Sequence, residues 1–240
     1  KLEGIDSLID AIDKTIKVLG HSPRVPCYEA YNEHSVRLMR VNYAGEVAAQ
    51  GLYLGAGLFE TDPRLQSFYQ HALVDEFRHL DWCGSRVLSM QGRLSFCNPI
   101  WFFGAFSIGA ISRMSGPSYA LGFVDETERQ VLDHLKHHLG RLPKEDVRSR
   151  QILMTMIEEE EAHAEEAKRL SRTDAAGGMQ PPGSGKRPSK GRVYWLAVFM
   201  LLISAALAFS RGMSDKDLER LQMALLTGGS GLLIGYMLWR

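Results

Sequence analysis

"LVDEFRHLDW", residues 73–82, places Glu76 and His79 three positions apart in a run with helical apolar spacing. Residues three apart share a helix face, so such a pair often does no more than keep a surface solvated. The neighbours argue otherwise. Leu73, Ala72 and Tyr69 precede Glu76 at offsets of three, four and seven, and Cys83 follows at seven. A carboxylate on an apolar face costs on the order of several kcal/mol unless something compensates it. A metal ion compensates it well, provided the chain holds partners for the pair.

It does. A second Glu-x-x-His stands at Glu160 and His163, far along the chain from the first. Glu160 belongs to a run of four glutamates, but it alone lies three before His163, with Ile157, Met156 and Leu153 behind it. Two such helices, plus one glutamate from each of two others, make a dinuclear carboxylate site in a four-helix bundle. Between His34 and Phe59 the only acid is Glu46, on the helical run before Glu76. The remaining helix offers Asp125, Glu126 and Glu128. Val124, Leu121, Val131, Leu132 and Leu135 surround Glu128, whereas Gly122, Arg129, Gln130 and Asp133 put Glu126 on a solvent face. Glu128 also precedes Glu160 by nearly the same separation that sets Glu46 before Glu76, so the chain carries Glu and then Glu-x-x-His twice. The predicted ligands are Glu46, Glu76, His79, Glu128, Glu160 and His163. Four carboxylates and two imidazoles form a hard donor set that suits iron or manganese better than zinc. Two iron ions per chain are expected.

Outward from these motifs the chain reads as all-α over positions 1–172. Residues 5–19 are amphipathic, with Leu8, Ile9, Ile12, Ile16 and Leu19 near one stripe. A second helix is predicted over about 34–60, its small residues allowing close helix approach. Asp62-Pro63 opens a third, with Gly92 as its stop. "NPIWFFGAFSIGAIS" (98–112) is apolar all round and short for a bilayer crossing, which takes ~20 residues. It reads as a buried helix, or as one that meets a membrane surface or lines a lipid channel. Gly116-Pro117 breaks the chain before helices over about 118–139 and 144–170.

Residues 173–192 hold five glycines and three prolines and read as a flexible linker. Two charge-free stretches follow, Val193–Ser210 and Leu221–Trp239, predicted to form a membrane-inserted hairpin over 193–240 with both ends cytoplasmic. "GGSGLLIG" (228–235) lacks a preceding strand, so Gly231 and Gly235 read as a helix-packing pair rather than a nucleotide turn. Lys+Arg and Asp+Glu are both 28, which gives no basic field to attract nucleic acid. The three cysteines form no C-x-x-C pair and fit a reducing compartment. The chain opens on Lys1, which is compatible with a removed targeting segment.

"RVNYAGEVAAQGLY", "EFRHLDWC", "NPIWFFGAFSIGA", "LGFVDETERQV" and "EEEEAHAEEA" closely resemble the bacterial demethoxyubiquinone monooxygenase family of ubiquinone biosynthesis over about residues 34–170. The resemblance implies a ferritin-like di-iron bundle that uses O2 and two electrons to hydroxylate the ring of a polyprenylated demethoxyubiquinol. It implies the same six ligands, with Glu76 and Glu160 as bridges. It also implies a membrane-facing role for residues 98–112, an electron donor, and membership of a ubiquinone-biosynthesis complex at the cytoplasmic side of the bacterial inner membrane. His134, six after Glu128, matches a position linked to substrate or electron delivery, outside the ligand set. Tyr43 stands where the family usually has histidine, and residues 173–240 replace a short amphipathic end. Two other readings are a ferritin-like oxidase or ferroxidase with another substrate, and a non-catalytic membrane-associated bundle.

Overall fold

The computed structural model describes residues 2–176, apart from positions 26 and 59. Six helices follow one another: α1 (Leu2–Leu19), α2 (Glu33–Gly57), α3 (Pro63–Ser89), α4 (Asn98–Met114), α5 (Pro117–Arg141) and α6 (Val147–Ala176). The described residues contain no strand, so the expected all-α class holds and is compatible with a ferritin-like bundle. The linker beyond 176 and the apolar hairpin over 193–240 lie outside the described residues. Among the described residues no helix is long and apolar enough to cross a membrane.

Local chemistry sets the helix ends. Asn32 accepts a hydrogen bond from the Ser35 N–H at 3.0 Å to open α2, and Asp62 accepts from Arg64 N–H at 2.9 Å to open α3. At the end of α3 it is Gln91, not Gly92, that takes the left-handed conformation, with φ 58°. Gly92 N–H then reaches back to the Val87 carbonyl at 2.9 Å. Gly116 needs its missing side chain: its φ of 120° starts α5 at a sharp reversal before Pro117. The last helix begins at Val147, a little later than the predicted Lys144, because Asp146 caps it through the Ser149 N–H at 3.0 Å.

The bundle is assembled from α2 packed on α3 and α5 packed on α6, with α4 laid along α2. That last contact depends on absent side chains. A Cβ on Gly51 would strike the Phe102 carbonyl, and one on Gly109 would strike the Leu52 carbonyl. The core runs from Val36, Met39 and Tyr53 on α2 through Leu65, Leu80 and Val87 on α3 to Leu121 and Val124 on α5 and Leu153 and Met156 on α6. One end is closed by Arg86, which reaches Asp146 at 2.8 Å, Ser149 at 2.8 Å and Glu29 at 2.7 Å.

Two apolar segments sit differently from a simple reading of their composition. The α1 residues that meet the bundle are Ala11, Val18 and the partly buried Leu19, while Ile9, Ile12 and Ile16 face outward. Lys17 lies over the Phe77 ring and Lys14 bonds Gln70, so polar residues of α1 also tie it to α3. Helix α4 is neither wholly buried nor wholly surface. Ile100, Phe102 and Ala105 are buried, while Phe103, with Phe96 and Met114 at the helix ends, is exposed.

Candidate metal centre

Four helices each bring acid to one level of the bundle. Glu46 comes from α2, Glu76 and His79 from α3, Glu128 from α5, and Glu160 and His163 from α6. They form two groups whose donor atoms lie within 4.8 Å of one another: Glu46, Glu76, His79 and Glu160 in one, Glu76, Glu128, Glu160 and His163 in the other. All six predicted residues are therefore brought together, and Glu76 and Glu160 belong to both groups. Glu128 is buried, whereas Glu126 is exposed and paired with Arg129 at 2.6 Å, as the helical offsets require.

Both imidazoles turn Nδ1 inward. His79 Nδ1 lies 3.0 Å from Glu160, 3.7 Å from Glu76 and 3.8 Å from Glu46. His163 Nδ1 lies 3.2 Å from Glu160 and 3.4 Å from Glu76. Each Nε2–H donates outward to an acid on the opposite Glu-x-x-His helix: His79 to Glu159 at 2.6 Å, His163 to Asp75 at 3.2 Å. The arrangement is crossed, since Asp75 precedes Glu76 and Glu159 precedes Glu160. Arg78 ties the two outer acids together, at 2.9 Å from Asp75 and 2.8 Å from Glu159. Such partners fix the tautomer and ring orientation of a ligating histidine.

The electrostatics call for positive charge. Burial, then the Glu76 charge, raises the Glu46 carboxyl well above the usual carboxylate range, and burial with Glu160 does the same to Glu128. Burial would raise Glu76 too, but the neighbouring His163 and His79 imidazoles outweigh it and hold it low. Burial opposes a charge on either imidazole, yet Glu160 and Glu76 push both His79 and His163 up to about 12. Moreover, Glu76 Oε1, His79 Nδ1 and Glu160 Oε1 are buried without a hydrogen bond of acceptable geometry. Orphaned buried atoms of this kind need an explanation. Oxygen and imidazole donors converging on one point fit a metal ion, and these residues can hold one.

Sequence reasoning missed four contributors. Tyr53, fully buried, donates its hydroxyl to Glu128 Oε1 at 2.5 Å, and burial with the Glu128 charge pushes its phenol pKa up. It stands seven after Glu46, hence on the same face two turns on, which was a usable signal. Asp75, Arg78 and Glu159 were the others; the first and last sit one before each paired glutamate. His134 belongs to neither group. Its ring lies 3.9 Å from that of His138, which bonds Asn42 at 2.7 Å, one turn before Glu46. Tyr43 is buried, and its ring packs where a side chain on Gly84 would stand.

Comparison with known proteins gives this arrangement a context. The family described as "Ubiquinone biosynthesis protein COQ7" matches residues 33–179. The 3-demethoxyubiquinol 3-hydroxylase of Ralstonia pickettii (strain 12J) is 44% identical over 154 residues, covering 64% of this chain and 68% of that protein. Its counterparts in Francisella tularensis subsp. holarctica (strain FTNF002-00 / FTA) and subsp. novicida (strain U112) are 37% and 38% identical over 198 residues, covering 78% of this chain and 91% of theirs.

Proposed function

This chain belongs to the ubiquinone biosynthesis protein COQ7 family, and from that membership we propose that it is a di-iron monooxygenase that hydroxylates the ring of a polyprenylated demethoxyubiquinol. In balance, one quinol, O2, two electrons and two protons become the hydroxylated quinol and water. Glu46, Glu76, His79, Glu128, Glu160 and His163 would hold two iron ions, Glu76 and Glu160 being the carboxylates common to both donor groups. The observation that carries this reading is that these two carboxylates belong to both donor groups while keeping buried oxygens without hydrogen bonds. When bound, the iron pair supplies the reduction of O2 and the transfer of one oxygen atom to the ring.

The remaining chemistry belongs to the protein. Glu159 and Asp75 keep each imidazole Nε2 protonated, so that Nδ1 is the nitrogen offered inward. Tyr53 steadies Glu128 through its hydroxyl. Close packing by Val124, Leu121 and Met156 excludes bulk water, which strengthens every charge interaction at the site. The half-exposed face of α4, bearing Phe103, meets the membrane that holds the greasy substrate. His134 lies on the substrate or electron side, outside the ligand shell. Residues 1–172 form the catalytic bundle, 173–192 a tether and 193–240 an inserted anchor, keeping the bundle at the cytoplasmic side of the membrane. An electron donor completes the system.

The test is anaerobic Fe(II) loading, followed by demethoxyubiquinol and isotopically labelled O2, with mass detection of the product. One labelled oxygen on the ring is expected. Iron binding with O2 consumption but an unlabelled quinol would instead mean a ferroxidase. Ending the chain after Arg172 should free the bundle from tight membrane attachment and keep metal binding; loss of metal binding would refute the domain boundary.

A further inference from the structure

The six clustered side chains differ in their reach to solvent. Glu46, Glu76, His79, Glu128 and Glu160 are buried, whereas the His163 side chain is 12% exposed. His163 also forms part of the wall of a cavity of about 270 Å³ between α3 and α6, with Ser67, Phe68, His71, Asp75 and Glu166. The cavity thus meets the group of Glu76, Glu128, Glu160 and His163 from outside, through His163, the one member of the six that lines it.

A metal ion reaches a buried site by exchanging its water ligands for protein donors one at a time. The cavity has the volume of roughly nine waters at about 30 Å³ each, enough for a six-coordinate hydrated ion. Its walls carry groups that suit a hard divalent cation: the His71 imidazole and the carboxylates of Asp75 and Glu166. A passing ion would compete for those carboxylates with Arg78 and His163 at Asp75 and with Arg169 at Glu166. The Arg64 guanidinium in its wall is engaged by Asp62 at 2.7 Å, and nearby Arg169 is bound to Glu166 at 2.5 Å. Inward from the cavity stands an unsatisfied acceptor, the buried Oε1 of Glu76, 3.4 Å from His163 Nδ1.

We infer that the α3–α6 cavity is the inlet through which a divalent cation loads the centre, so that the group at His163 fills before the group at His79. This rests on the metal-binding reading of the six residues, and the experiment separates the two. Cobalt(II) is the probe, because its visible absorption reports binding without turnover. Uptake by the full apo chain is followed in a stopped-flow instrument, release by transfer to a chelator, and final occupancy by equilibrium dialysis.

Ser67→Trp and His71→Trp plug the cavity from exposed positions, and Val74→Trp, 66% exposed on the same helix but outside the cavity, is the control. Each plug should slow uptake and release together by about tenfold or more, leaving Kd and final occupancy as in the parent, because a blocked route changes rates in both directions equally. The control should match the parent throughout. Glu166→Gln, which removes charge without adding bulk, should slow uptake severalfold and serves if a plug does not fold. Parental loading rates in the folded plug variants and in Glu166→Gln would overturn the inlet. So would a loss confined to Kd, which would mean that the cavity residues act on site stability. Failure of the parent to bind cobalt would instead overturn the metal centre itself.

Discussion

Glu159 and Asp75 play the same part on opposite helices, and the structure ranks them. Their side chains are 32% and 30% exposed, and Arg78 holds both, so solvent and the shared cation treat them alike. What differs is the bond to imidazole. His79 to Glu159 is 2.6 Å, as short as charge-assisted bonds become, while His163 to Asp75, at 3.2 Å, is at the long limit. Removing an outer partner of a ligating histidine typically costs about 10–100-fold in metal affinity. Glu159→Gln should therefore fall near a hundredfold, about 2.8 kcal/mol, and Asp75→Asn near tenfold, about 1.4 kcal/mol. Each loss should also belong to a different ion, the one at His79 for Glu159 and the one at His163 for Asp75. An anaerobic two-step cobalt(II) or iron(II) titration resolves them, with far-ultraviolet circular dichroism to show that the helices persist. Equal losses, or a larger loss in Asp75→Asn, would refute the reasoning that bond length sets the support each imidazole receives.

Three more outcomes follow from the same geometry. Glu128→Gln should cut quinol hydroxylation by orders of magnitude at native helix content, while Glu126→Gln, on the surface, should change stability by under about 0.5 kcal/mol and leave turnover intact; turnover and iron content measured side by side decide it. Arg86→Ala strands the buried Asp146 carboxylate and should destabilise the fold by about 3–5 kcal/mol, read from denaturant midpoints. Burial holds His134 at about 4 and His138 at about 3, below the ordinary 6.5. The unfolded chain then binds more protons than the native one below pH 6.5, so each contributes stability that is full above 6.5 and is lost as pH falls toward 4 and 3. His138→Gln should remove up to about 1.4 kcal/mol per pH unit of that slope, and an unchanged slope between pH 6.5 and 4 would count against it.

The helices and the six clustered residues were legible because both follow from the 3.6-residue period. A glutamate with apolar residues at three, four and seven must face inward, and the same rule that chose Glu128 over Glu126 placed it at the site. The caps at Asp62 and Gly116 were readable for a similar reason, since they depend on a few adjacent residues. Composition was a poorer guide. The isoleucine stripe of α1 and the all-apolar α4 both read as faces seeking cover, yet burial depends on which neighbour arrives, and α2 takes only one side of α4.

What the chain alone determined is which residues turn toward the bundle axis, because that is a property of a single helix. Which of them meet was decided between helices. Glu159 was set aside within a run of four glutamates, and nothing local to it reveals that His79, on a distant helix, donates to it. The crossed pairs, the reach of Tyr53 to Glu128 and the cavity at His163 all depend on how far one helix slides and rotates against another. The seat of α4 on α2 is of the same kind: the close approach of Gly51 to the Phe102 carbonyl exists only once those helices pack.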